Sequence, residues 1–203
     1  MRIGVFGGTF DPVHLGHLIV AEQAREQAEL DRVWFVPSAR PPHKLDRDLT
    51  SFDRRAEMLS IALAGQEPRF RVEPCEKDRP GPSFTADTLD DLHAAHPNDD
   101  WFLILGADSI EDLPIWRDPV RIIDRATILV AARPGHAVWS ATELAFALEI
   151  EASRVRVQVV DVPLIDISSS DLRLRAAEGR SLLYQVPRAV EVYVREKKLY
   201  RAG

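Results

Sequence analysis

Short apolar runs without a helical period alternate along the chain with longer amphipathic stretches. The runs are Arg2–Phe6, Arg32–Val36 (stopped by Pro37), Phe70–Pro74, Trp101–Leu105, Thr127–Ala131 and Val155–Val162. Their length and their β-branched and aromatic content mark them as strands. Trp101–Leu105 is the most apolar and is expected at the centre of a sheet, buried on both faces. Phe70–Pro74 is expected near an edge. Val155–Val162 has β-branched residues at odd positions, and Val160 breaks that alternation. Helical stretches are read over Leu18–Leu30, over Ser51–Ala64 with Gly65 as its stop, and from Ser83–Leu89 onward. Others run from the capping-box start Ser140–Glu143 to about Ile150, from Ser168 onward, and over Pro187–Tyr200. Strands alternating with helices predict a mainly parallel α/β sheet with helices on both faces.

Composition narrows this picture only a little. At 203 residues, 45% hydrophobic and 29% charged, the chain suits one domain spanning 1–203 with a sizeable core. No apolar stretch approaches the length of a bilayer span, and the first residues lack a signal peptide's pattern, so no membrane role is expected. A net charge of −6, from 32 acidic and 26 basic residues, speaks against a nucleic-acid groove. Cys75 is the single cysteine, which excludes an internal disulfide and points to a reducing cytoplasm.

The candidate chemistry gathers at the start of the chain, MRIGVFGGTFDPVHLGH. Gly7 and Gly8 follow the first strand and let a ligand approach bare backbone. His14 and His17 then lead into the first helix. Strand, glycine turn and helix start leave unpaired N–H groups pointing outward, an anion site to which two imidazoles add donors. Neither common phosphate loop is present, because GxxxxGK[ST] is absent and Gly7–Phe10 does not fit GxGxxG. The histidine pair taken alone is also compatible with packing or with half of a metal site.

Five more segments carry candidate chemistry. Pro41-Pro42-His43-Lys44 is a proline-stiffened basic stretch, either a solvated surface loop or a lid over phosphates. Ser83 or Thr85 caps the next helix, or that hydroxyl-rich start presents N–H groups to a carboxylate or phosphate. Gly106-Ala107-Asp108-Ser109 follows the central strand, where open α/β sheets bind ligands; Asp108 either meets ribose hydroxyls or caps a helix. Trp116 either packs or stacks on a heterocycle. Ile167-Ser168-Ser169-Ser170-Asp171-Leu172-Arg173 fits a capping box extended to an acid, and equally a second anion site with Arg173 as phosphate donor. If both helix starts follow strands of one sheet, they face one crevice suited to a polyphosphate.

Gly7-Gly8-Thr9-Phe10-Asp11-Pro12 and His14-Leu15-Gly16-His17 resemble the signature of the HxGH nucleotidyltransferase superfamily, and Ile167–Arg173 resembles its second, ISSTxxR-type signature. Pro41–Lys44, Ser83–Leu89, Gly106–Ser109 and the Trp116 region are similar to one branch, the bacterial nicotinate-mononucleotide adenylyltransferases. The likeness covers nearly the whole chain and implies a Rossmann-like, doubly wound fold. Phe84 stands where tyrosine is common, and Ser170-Asp171 where threonine and an apolar residue are usual; Asp171 adds a negative charge near phosphates.

That resemblance implies adenylyl transfer from ATP to nicotinate mononucleotide, with Mg²⁺ carried on ATP and no protein metal cluster. It implies a catalytic set of His14, His17, Lys44 and Arg173. ATP would be held by Gly7, Gly8, Thr9, Phe10, His14, His17, Gly106, Asp108, Ile167, Ser168, Ser169 and Arg173. Nicotinate mononucleotide would meet Gly8, Thr9, Lys44, Thr85, Trp116, Arg117 and Arg133. A homo-oligomer is compatible with it. The rival readings are a sister transferase using phosphopantetheine or a cytidylyl donor, a non-catalytic nucleotide sensor, and a nucleic-acid-binding role that the acidic balance opposes.

Overall fold

The computed structural model describes residues 1–41, 49–132 and 139–201. Among these residues six strands form one sheet: β1 (Arg2–Gly8), β2 (Arg32–Pro37), β3 (Phe70–Val72), β4 (Asp100–Gly106), β5 (Ala126–Ala132) and β6 (Val157–Asp161). Their order is β3-β2-β1-β4-β5-β6, with every pairing parallel. The carboxyl ends Gly8, Pro37, Gly106, Ala132 and Asp161 therefore share one edge. β1 lies between β2 and β4, so the order of connection reverses beside it and opens a crevice above its glycines.

Among the described residues, eight α-helices flank the sheet: α1 (Leu15–Gln27), α2 (Phe52–Ala62), α3 (Thr85–Ala95), α4 (Ala107–Asp112), α5 (Pro119–Arg125), α6 (Ala141–Ala147), α7 (Ser169–Ala177) and α8 (Arg188–Glu196). Side chains alternate sides along each strand. Val33, Phe35, Phe102, Ile104, Leu129 and Val160 pack with buried residues of α1, α2, α7 and α8. Ile3, Val5, Trp34, Val36, Trp101, Leu103, Leu105, Ile128 and Val130 pack with α3, α4, α5 and α6 on the opposite face. The continuous apolar runs thus feed two cores, one on each face, as the doubly wound α/β reading requires.

Several boundaries differ from the sequence expectation. α1 begins at Leu15 rather than Leu18 and ends at Gln27, which brings both histidines into its start. Neither Ser83 nor Thr85 caps α3: Phe84 holds that position, with no side-chain bond. Ser83 instead pairs with Arg40, through a backbone bond of 2.8 Å and a bond from the Arg40 N–H to the Ser83 hydroxyl of 3.1 Å. Asp108 is not a cap, because Gly106 precedes α4. β6 is shorter than expected, and Val160 is its one buried residue. α6 ends at Ala147, and α8 stops at Glu196, leaving Tyr200 outside it. α5 was not expected; Asp118 precedes it in the left-handed region (φ 50°) and Pro119 opens it. The Ser140–Glu143 capping box is present, with both reciprocal bonds.

Cys75 is half-buried, and burial with Glu76 and Glu73 nearby pushes its thiol up to about 12. The reactive thiolate is therefore scarce near neutral pH. Labelling by an aromatic disulfide at pH 8 is expected to be at least about ten-fold slower in the native protein than after unfolding; equal rates would contradict that protection.

Candidate active site

The site grows from the turn after β1. Phe10 adopts a left-handed conformation (φ 49°), which costs an L residue about 1–2 kcal/mol. Burial of its ring offsets that cost: Phe10 is 1% exposed and meets Phe6, Phe35 and His17 at centroid distances of 5.0–5.7 Å. A Cβ on Gly8 would lie 3.0 Å from that ring, so the glycine is what lets the phenylalanine fold back. Gly7 is exposed, and a Cβ there would meet nothing within 4 Å. Bare backbone therefore faces the crevice.

His14 takes the N-cap position of α1 in an extended conformation, buried at 6% exposure. His17 lies one turn in, and the two imidazoles stack at 3.6 Å with an interplanar angle of 26°. The backbone N–H of His14 donates to His17 Nδ1 at 3.2 Å. An Nδ1 that accepts leaves the neutral ring's proton on Nε2, so His17 is set as an N–H donor at its far nitrogen. Gly16 completes the arrangement, since its Cβ would lie 3.0 Å from His14 Nδ1 and 3.1 Å from Cε1. Gly16→Ala should leave stability unchanged or slightly raised, because alanine favours a helix by about 1 kcal/mol. The displaced imidazole should nevertheless lower kcat about ten-fold; unchanged kcat would show that the ring position is immaterial.

Beneath the turn lies a polar cluster. Arg55, on α2, is 1% exposed and donates to three carbonyls, all at 2.8 Å: Thr9, Ser38 and Thr50. Desolvation by burial lowers its pKa, against the pull of Asp11, Tyr200 and Glu76. Asp11 is fully buried; its Oδ2 accepts the Thr50 N–H at 3.1 Å and its Oδ1 accepts the Tyr200 hydroxyl at 2.7 Å. Burial and then the adjacent Asp11 carboxylate push the Tyr200 pKa upward, so the phenol keeps its proton.

The start of α7 reaches the same turn. Ser168 caps the helix by accepting the Asp171 N–H at 3.1 Å. Ser169 Oγ donates to the Pro12 carbonyl at 2.9 Å, and Arg173 Nη1 to the Asp11 carbonyl at 2.8 Å. Ile165 approaches Gly16, and Ile167 packs on the core below. The two motifs therefore meet, with residues 11–17 against residues 165–173. Asp171 is exposed in the first turn of α7.

Gly106 ends β4 on the same sheet edge, and Asp108 Oδ1 lies 2.7 Å from where a Gly106 Cβ would stand. A side chain at 106 would thus expel the carboxylate. On the α3 side, the Arg117 guanidinium lies 4.6 Å from the Phe84 ring centroid, bringing residues 116–117 to the start of α3 and Thr85. Trp116 is half-buried against the second core. Lys44 and Arg133 lie outside the described residues. Among the described residues, no group of three or more His, Cys, Asp or Glu could hold a metal ion. No helix there is long and apolar enough to cross a membrane.

A parallel sheet whose central crevice holds a glycine turn, two stacked histidines and a second serine-arginine helix start defines a nucleotidyltransferase. Residues 5–175 match the family described as cytidylyltransferase-like. A Thermomicrobium roseum protein named "Probable nicotinate-nucleotide adenylyltransferase" is 46% identical over 200 residues, covering 98% of this chain and 92% of its own. A Thermus thermophilus protein of the same name is also 46% identical, over 99% of this chain and its own full length. The chain belongs to the nicotinate-nucleotide adenylyltransferases. A solved Plasmodium falciparum nicotinic acid mononucleotide adenylyltransferase, complexed with NaAD, superposes with a TM-score of 0.78. It is 19% identical over 98% of this chain and 97% of that one, a likeness of fold.

Proposed function

We propose that the chain transfers the adenylyl group of ATP, taken as its magnesium complex, to nicotinate mononucleotide, forming nicotinate adenine dinucleotide and pyrophosphate. One observation carries the assignment of the chemistry: the stacked His14–His17 pair, with the Ser169–Arg173 helix start bonded to the turn before it. The attacking 5′-phosphate is ionised near neutral pH, so the reaction needs no general base. Catalysis then consists of alignment and of neutralising charge on the bridging and pyrophosphate oxygens.

In this reading His17 Nε2–H and His14 donate to those oxygens, while Gly7, Gly8, Thr9 and the Phe10 backbone hold the triphosphate. Ser168, Ser169 and the remaining N–H groups of the Arg173 fork face the β- and γ-phosphates, with Ile167 beneath them. Gly106 and Asp108 line the adenosine side. Thr85 and Arg117 offer backbone N–H groups to the nicotinate carboxylate, and Trp116 stacks on its ring; α3 begins without a side-chain cap, which leaves its start suited to an acceptor. We assign Lys44 to the phosphates and Arg133 to nicotinate mononucleotide on the family's pattern. The single cysteine is in keeping with a reducing cytoplasm.

The test is pyrophosphate release from ATP and Mg²⁺ with nicotinate mononucleotide, nicotinamide mononucleotide and phosphopantetheine offered separately. Release mainly with the first is expected, because an amide NH₂ would leave buried donors unpaired. Release with phosphopantetheine alone would overturn the substrate, and silence with all three would overturn the activity.

A further inference from the structure

The mechanism above makes no use of Tyr200, which follows α8 and reaches back across the chain to the nucleotide turn. Its hydroxyl is bonded to Asp11, and Met58 Sδ lies 3.9 Å away. Tyr200 and Phe10 both occupy the left-handed region, at φ 64° and 49°. Backbone strain on each side of one part-buried hydrogen bond persists only where the surroundings over-determine it. Asp11 adjoins Phe10 and stands three residues before His14. The turn's backbone is held from several directions at once: the carbonyl of Thr9 by Arg55, that of Asp11 by Arg173 and that of Pro12 by Ser169. Of these, Tyr200 and Arg55 lie outside both sequence motifs.

We propose that Tyr200, together with Arg55, is a positioning residue for the transfer reaction: the two anchor the Thr9–His14 turn and thereby set where the stacked imidazoles meet developing charge. This rests on the function proposed above. The phenol acts through Asp11 and the arginine through the Thr9 carbonyl, so neither needs to touch substrate. A role in stability alone would be the competing account, and Tyr193 supplies the comparison. That residue lies on α8, accepts from Arg54 at 3.0 Å and donates to Glu57, on the outer side of α2.

The experiment compares Tyr200→Phe, Arg55→Lys and Tyr193→Phe with the wild type. The readouts are unfolding temperature, kcat and KM for both substrates, and the ¹⁵N–¹H imidazole resonances of His17. Tyr200→Phe should lower kcat about ten-fold while KM for nicotinate mononucleotide changes less than about two-fold. It should also shift the His17 resonances. Tyr193→Phe should lower the unfolding temperature comparably, with kcat and the His17 resonances unchanged. Lysine at 55 keeps the charge but gathers its donors on one nitrogen and cannot span the three carbonyls that Nε, Nη1 and Nη2 reach, so it should repeat the Tyr200→Phe pattern, and it replaces that variant as the test if the latter does not fold. Wild-type kcat and resonances in Tyr200→Phe and Arg55→Lys would overturn the proposal, as would equal kcat losses at Tyr193 and Tyr200. Absence of wild-type turnover would instead overturn the proposed function, and the resonances would still report on the anchoring.

Discussion

His17→Ala is expected to lower kcat about 10²–10³-fold, the usual consequence of removing one donor aimed at transition-state charge. The structure separates two contributions to that loss. His17 uses Nδ1 to accept the His14 N–H at the start of α1, and in the proposed mechanism its Nε2–H meets the substrate. Alanine removes both. His17→Asn retains an acceptor near Nδ1 but has no group reaching as far as Nε2. The asparagine variant should therefore keep most of the wild-type stability and still lose about 10²-fold in kcat. Pre-steady-state pyrophosphate release, read beside thermal unfolding, distinguishes the two variants. Near-wild-type turnover in both would remove His17 from the chemistry.

Arg55→Met is expected to produce the largest loss of stability, about 3–5 kcal/mol, the range seen when one partner of a buried charged network is removed. Methionine fills much of the volume but leaves the carbonyls of Thr9, Ser38 and Thr50 without this donor and removes the Arg55 charge from beside Asp11, where only Arg173 then remains among these cations. Against a total of about 5–15 kcal/mol, such a loss should be plain in the urea midpoint. A change below about 1 kcal/mol would mean that water can take the guanidinium's place.

Most of the sheet was legible in the sequence because parallel strands buried on both faces read as unbroken apolar runs. Trp101–Leu105 is the clearest case, and it does lie beside β1 near the middle. The glycine-histidine turn and the serine-arginine helix start were legible for another reason, since their chemistry lies in contiguous residues. Arg55 shows where such reading ends. Arg54 and Arg55 are adjacent on α2 and chemically identical, yet the Arg54 side chain is 41% exposed while Arg55 is fully buried. Only tertiary contact tells them apart. The Asp11–Tyr200 bond joins residues 189 apart, and the Arg173–Asp11 bond residues 162 apart, so no local pattern announces either. α5 escaped because seven residues preceded by a left-handed aspartate offer too short a period to count; Asp118-Pro119 was the one available signal. The sequence offers Ser83 beside Thr85 as a cap and cannot show its pairing with Arg40, which is equally non-local.

The fork of Arg55 also has a bearing on how this fold can vary. By holding the carbonyls of Ser38 and Thr50 together, one guanidinium forms a neck that fixes the spacing of these two points of the chain. The geometry of that neck is set by α2 and the sheet, whatever the length of chain beyond it. Ala39 and Arg40 are pinned separately to Glu76 and Ser83, so a change of chain length beyond Arg40 and before Thr50 should leave both these anchors and the nucleotide turn where they are.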